Sequence, residues 1–310
     1  MLKYIIKRIL LIIPVIIGIT FFIFLVLAFA PGDPVTLIMG PDATHEQLAA
    51  KRHELGLDQN VFLRYGRYMS EVVRGDLGTS WLSGKQVFME FSQRVPNTFM
   101  LSLVTLVITT IFGIPFGIIA AVKQNTPVDV ATLVFALTFS SIPTFWFALM
   151  MQIVFALWLG WFPSMGIGSL RHFILPALTL SMVQITNQLR MTRSSMLDVI
   201  GQDYVRTARA KGAGEFRVIT GHVVRNGMLP VITNLGISFA NTFGGAIVTE
   251  TVFAIPGIGS YMINAAKTRD VPIVMGVIIF VAIYVAIINL IVDLIYAFVD
   301  PRVKLEYISS

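Results

Sequence analysis

The 310-residue chain contains no cysteine, and only 13% of its residues are charged. The missing thiols exclude disulfides, thiolate metal sites and cysteine catalysis. Its four histidines, His45, His53, His172 and His222, show no metal-ligand spacing with one another. No Gly-x-x-x-x-Gly-Lys-Ser/Thr phosphate loop occurs, and Gly257-Ile258-Gly259 is only a short glycine turn, so ATP binding through that device is excluded. Gly-x-Ser-x-Gly and His-Glu-x-x-His are also missing, which argues against a hydrolytic site.

Hydrophobic residues make up 55% of the chain and mean hydropathy is +0.78, more than a water-facing fold can hide. A hydrocarbon core about 30 Å thick takes roughly 20 apolar residues per helix. Six runs meet that need, at about Ile9 to Ala30, Phe99 to Val122, Val130 to Trp161, Phe173 to Leu189, Met228 to Phe253 and Pro272 to Val299. The third is long enough to break, with Pro143 as the kink. The first imitates a signal peptide, with Lys3, Lys7 and Arg8 ahead of it and Ala28-Phe29-Ala30 behind. It exceeds a signal core in length and Pro31 would follow the cut, so a retained helix is expected.

Charge fixes the orientation. With the N-terminus inside, cytosolic segments carry Lys3, Lys7, Arg8, Lys123, Arg190, Arg193, Arg206, Arg209, Lys211, Arg217, Arg225, Arg302 and Lys304, whereas short outer loops hold Arg171, Lys267 and Arg269. Both termini are therefore expected in the cytosol. The net charge of +6 clusters at membrane edges without interleaved aromatics, which fits anionic lipid headgroups and not nucleic acid.

The expected architecture is an all-α integral membrane protein with six transmembrane helices. Residues 1–30 form a cytosolic tip and first helix, 31–97 an extracytoplasmic helical insertion, 98–300 a five-helix core with a cytosolic loop at 199–225, and 301–310 a cytosolic tail. In the insertion, Thr44-His45-Glu46-Gln47 has capping-box form and predicts a helix from about His45 to Glu54. A second, around Val61 to Arg74, aligns Phe62, Tyr65, Tyr68 or Met69, and Val72 or Val73. This segment either meets a delivering protein or serves as a lid over the helices.

Polar residues within the apolar runs are costly and face a cavity or another helix. Ser181, Gln184, Gln188, Thr192 and Ser195 recur at helical spacing with Asn187 beside them, and Asn234, Ser238, Asn241, Gly245 and Thr249 do the same. The candidate route-lining residues are Ser181, Gln184, Gln188, Asn234, Ser238 and Asn241, since neutral amides and hydroxyls solvate a peptide backbone without trapping it; the alternative is that they only bridge helices. Gly236, Ala240 and Gly244 form a small-residue packing face. Glu250 and Asp293 lie towards opposite edges of their runs, which favours structural pairing over a proton relay.

The polar gap after the fourth run reads as a short helix, with Asp203 as N-cap, Ala208 and Ala210 favouring the helix, Arg209 and Lys211 at its negative end and Gly212 as a left-handed stop. On these features alone it could be an ordinary positively biased loop. It resembles, however, the coupling loop of ABC importer permeases, whose pattern is Glu-Ala-Ala, three residues, Gly, then nine residues and Ile-x-Leu-Pro. Arg206-Thr207-Ala208 fall on the triplet and Gly212 on the glycine, while His222 to Arg225 replace Ile-x-Leu-Pro. Those departures match the dipeptide/oligopeptide/nickel branch, with Thr207 to Gly212, Arg225-Asn226 and Leu229-Pro230. Further similar motifs are Met1 to Arg8, Ala30 to Pro34, Gly56 to Gln59, Gly75 to Gly78, Ile255 to Gly259, Arg269-Asp270 and Asp300 to Arg302.

The resemblance implies a first-permease (B-type) subunit of a type I ABC importer in a prokaryotic cytoplasmic membrane. Implied partners are a second homologous permease, two ABC ATPase subunits that bind ATP and Mg, and an extracytoplasmic substrate-binding protein; this chain itself binds no cofactor. Asp203, Arg206, Thr207, Ala208, Arg209, Ala210, Lys211 and Gly212 would couple to an ATPase. Short peptides, including glutathione, rank first as cargo, ahead of nickel or oligosaccharides. An ion-coupled secondary carrier would need midplane carboxylates and an inverted repeat, and neither is evident.

Overall fold

The computed structural model describes residues 2–299. Asp300-Pro301-Arg302, Lys304 and the 301–310 tail lie outside the described residues, as do Met1 and the side chains of Lys3, Lys7 and Arg8. In chain order the helices are α1 (Leu2–Phe29), α2 (Pro34–Met39), α3 (His45–Glu54), α4 (Val61–Val73), α5 (Val87–Ser92), α6 (Val95–Val122), α7 (Pro127–Ser140) and α8 (Thr144–Met151), the last running into a wide π turn at Gln152–Trp158. Then come α9 (Arg171–Ile200), α10 (Asp203–Ala210), α11 (Glu215–Val218) with a π turn at Ile219–Val224, α12 (Arg225–Gly245), α13 (Ile247–Val252), α14 (Ile258–Thr268) and α15 (Val271–Val299).

Local chemistry sets these boundaries. Asp33 caps α2, accepting from the Val35 N–H at 3.2 Å ahead of Pro34 at the first helical position. The predicted capping box of α3 is complete: Thr44 accepts from the Gln47 N–H at 3.3 Å while Gln47 Oε1 accepts from the Thr44 N–H at 2.9 Å. Asn60 caps α4 through the Phe62 N–H. Pro143 marks the break between α7 and α8, where the axis bends by 95°.

By length and apolarity, Leu10–Phe29, Val87–Val122 and Val271–Ile295 qualify among the described residues as membrane spans, with the bent α7–α8 pair as a fourth if counted as one. The fourth and fifth apolar runs do not meet that criterion. α9 is long but carries amides and the arginines Arg171, Arg190 and Arg193, and the fifth run is divided at Ala246 between α12 and α13.

The chain forms two compact units. In the first, residues Phe99–Ile255 and those from Ile287 onward, α9 packs against α7, α8 and α12. One buried cluster joins Leu101, Ala148, Phe173, Leu175 and Phe253. Another gathers Ala121, Met196, Val205, Val218, Val223 and Val231 under the loop between α9 and α12. The second unit contains Leu2–Thr98 and Pro256–Ala286, with a core of Phe24, Val271 and Met275 covered by Tyr65, Tyr68 and Trp81. The expected apolar side of α4 is thus seated through Tyr65 and Tyr68, whereas Phe62 stays largely exposed while stacking on Phe21 at 6.1 Å and Val73 faces outward.

Candidate functional site: the α10 loop and the polar helix interface

α10 is amphipathic over barely two turns. Val205 is fully buried in the cluster beneath the loop and Ala208 packs beside it, while Asp203, Arg206, Thr207, Arg209, Ala210, Lys211 and Gly212 are exposed. The cap differs from expectation: Gln202 holds the extended N-cap conformation without a side-chain cap bond, and Asp203 is the first helical residue. Asp203 still places negative charge at the positive end of the helix and lies 3.8 Å from Arg206. At the other end Gly212 has φ +80°, the left-handed turn anticipated from its position one residue past the cap Lys211.

Arg209 does not present a free cation. Its Nη2 and Nε donate to Glu215 at 2.7 and 3.1 Å, tying α10 to α11. The Arg209 guanidinium holds the Glu215 carboxyl below its ordinary range, and Glu215 in turn raises the arginine. Exposed beside this pair are Tyr204 and Phe216, the latter 83% accessible, among Arg206, Lys211 and Arg217. A phenylalanine inside so polar a loop was the available sequence signal for an apolar contact point here.

The amide stripes meet each other. Gln188 is fully buried; its Nε2 donates to Val231 O at 3.1 Å, and its Oε1 accepts from Asn234 Nδ2 at 2.7 Å. Gln184 Nε2 donates to the Thr242 hydroxyl, Thr109 Oγ1 donates to Gln184 Oε1 at 3.4 Å, and Thr242 donates onward to Ser238 O at 2.7 Å. Hydrogen bonds therefore run from α6 through α9 to α12. Ser195 Oγ extends the series to Gly227 O at 2.6 Å, whereas buried Ser181 donates to Leu178 O of its own helix and to no other group among the described residues. Asn187 and Asn241 are exposed.

Close approach makes this ladder possible. A Cβ added at Gly113 would lie 2.8 Å from Gln188 Cβ, and one at Gly117 would lie 2.5 Å from Thr192 Cβ and 2.7 Å from Leu189 O. Gly113 and Gly117 thus form a small-residue face on α6, a spacing sequence reasoning passed over inside an unbroken apolar run. The predicted glycine face on α12 also packs closely: a Cβ at Gly236 would fall 2.1 Å from Val292 Cγ2. Three more polar anchors were missed. Asp129 and Arg193 form a bidentate pair at 2.7 and 2.8 Å between α7 and α9, and buried Gln152 donates to Ser164 O and Val252 O at 2.9 and 3.0 Å. Glu250 is fully buried at the first turn of α13, and Asp293 is half-buried in α15.

The first unit thus combines a ladder of neutral polar groups between its helices with a short exposed amphipathic helix. The model for the binding-protein-dependent transport system inner membrane component matches residues 113–305, and that for the N-terminal part of such membrane components matches residues 1–103. The chain belongs to this permease family. It is 38% identical to the dipeptide transport system permease protein of Alkalihalophilus pseudofirmus, covering 98% of this chain and 100% of that one. It is also 38% identical to a glutathione transport system permease protein of Salmonella paratyphi A, covering 98% and 99%. Among solved structures, a chain of the inward-facing MetNI methionine ABC transporter aligns with TM-score 0.58 at 17% identity, covering 69% of this chain and 97% of that one, a likeness of fold. The permease is thus an inner-membrane component with membrane-spanning helices.

Proposed function

We propose that the permease carries short peptides, glutathione among them, inward across the cytoplasmic membrane. The observation that carries this reading is identity along essentially the whole chain to permeases of dipeptide and glutathione transport systems. The transporter would contain this chain, a second permease and two ATPases, with an extracytoplasmic protein delivering cargo. Six membrane passes, the broken and polar runs included, would leave both termini in the cytosol, with residues 31–97 outside.

In this reading α10 sits in an ATPase groove. Its fixed points are Val205 and Ala208, which hold it to the cluster below, and the Arg209–Glu215 bridge, which makes α10 and α11 move together. Tyr204, Phe216, Arg206 and Lys211 would supply the contact. ATP-driven approach of the ATPases then shifts the loop, and the shift passes to α9 and α12, which flank the loop in the chain. Exposed Asn241 is the strongest candidate for lining the route; Gln184 and Gln188 hold the helices that shape it.

The test is uptake of labelled dipeptides and glutathione into vesicles containing the chain, with and without its ATPases, second permease and binding protein. Uptake only in the complete, ATP-supplied system is expected. Uptake by the chain alone, driven by an ion gradient, would overturn the reading. Gly212→Pro, which forbids the positive φ, is expected to insert normally and lose ATPase copurification.

A further inference from the structure

Beside the C-terminal end of α1, a cavity of about 500 Å3 in the second unit is lined by Phe24, Leu27, Trp81, Arg52, Arg64 and Arg269, together with Asp33 and Asp58. Most of its charge is accounted for. Arg52 donates to Asp33 at 2.6 Å, Asp58 meets His53 at 2.7 Å, and Arg269 donates to Ala30 O and Gly32 O at 2.9 and 2.7 Å. Arg64 differs. It is half-buried with its guanidinium 5.5 Å from the Phe24 ring centroid, and its side chain has no hydrogen bond or ion pair among the described residues.

A partly desolvated guanidinium with its donors unused is costly, and the aromatic ring replaces only part of the lost hydration. Burial accordingly draws the Arg64 pKa below its ordinary value, while the group remains a cation. The adjoining cavity of about 310 Å3 also touches Arg64, but there Arg64 and Arg67 are balanced by Glu71 and Asp76. In the larger cavity three guanidiniums face two carboxylates, which leaves one positive charge.

We propose that the larger cavity binds the phosphate of an anionic phospholipid headgroup, with Arg64 donating to its oxygens. Guanidinium geometry matches two phosphate oxygens at once. The lipid source is favoured over a soluble phosphate by the wall: Leu27 and exposed Ala28 belong to the end of the Leu10–Phe29 span and offer acyl chains an apolar surface, and half-buried Trp81 in the same wall is a side chain of the kind that prefers the headgroup zone. A bound lipid would then clamp the start of the 31–97 segment to the first membrane helix, whatever cargo the permease carries.

The experiment uses the complete transporter in nanodiscs of mixed phosphatidylglycerol and phosphatidylcholine. After detergent extraction, native mass spectrometry reads the phosphatidylglycerol retained per transporter. Arg64→Gln is expected to lower retention about tenfold or more, Arg64→Lys to keep part of it, and Arg67→Gln to match the parent. Excess inorganic phosphate should not displace the lipid. Equal retention by the parent and Arg64→Gln would overturn the proposal; so would displacement by inorganic phosphate, which would mark a soluble-anion site. If Arg64→Gln fails to assemble, the Lys variant decides: reduced retention supports the site, and unchanged retention sinks it.

Discussion

Asp270 accepts the Ser80 hydroxyl hydrogen bond at 2.6 Å and the backbone N–H groups of Trp81 and Leu82 at 3.2 Å each, across 190 residues of chain. Its neighbour Arg269, held in the left-handed region at φ +56°, donates to Ala30 O and Gly32 O. Two adjacent side chains thus hold the start of the segment that follows α1 and a second stretch of it at Ser80 to Leu82. Asp270 is buried, so its loss strands three donors at a cost of about 1–3 kcal/mol for each left unsatisfied. Asp270→Ala is expected to speed tryptic cleavage at Lys85 in the assembled protein. Cleavage at the parental rate would show that the carboxylate does not hold this segment.

The Arg209–Glu215 bridge has a definite pH signature. Glu215 is depressed below its ordinary 4.5 by Arg209, so its contribution is complete above that value and disappears as pH falls through the lower folded pKa. A spin label at Thr220 should keep constant mobility across neutral pH and loosen only under acid below about 4.5; Glu215→Gln should be mobile throughout. Both partners are partly exposed, so a small change is expected. A transition near neutrality would assign the loop's order to another group.

Two glycines in membrane-class helices should behave oppositely. Gly117 has no room for a methyl group against Thr192 and Leu189, and Gly117→Ala is expected to cost about 1–3 kcal/mol and lower the thermal midpoint. Gly18 has nothing within 4 Å, and Gly18→Ala should leave the midpoint unchanged or raise it. Equal effects would contradict the close α6–α9 approach.

Gln188 and Asn241 separate bridging from passage. Gln188→Leu removes the partner of Asn234 and the donor to Val231 O, so reduced assembly is expected. Asn241→Leu changes an exposed side chain, so assembly should persist while uptake falls. Normal uptake by a well-assembled Asn241→Leu variant would remove that residue from the route.

The sequence by itself determined what local interactions and solvent dictate. Apolar runs mark the bilayer as solvent, Pro143 breaks the third run, Thr44 and Gln47 close a capping box, and Gly212 permits the stop after α10, because each effect is complete within a few residues of chain. Even there the cap shifted from Asp203 to Gln202, since neighbouring polar residues compete for a single backbone role. Only the tertiary structure decided what each polar side chain meets. Gln188 and Asn241 read alike as helical amides, yet one is buried between two helices and the other is exposed. Gly113 and Gly117 are indistinguishable from their neighbours in an apolar run until the fold sets Gln188 and Thr192 against them, and Asp270 acquires its role only when folding brings Ser80 within 2.6 Å. Periodicity gives the face on which a residue lies; the packed neighbour, often far along the chain, sets whether that face bridges, binds or opens.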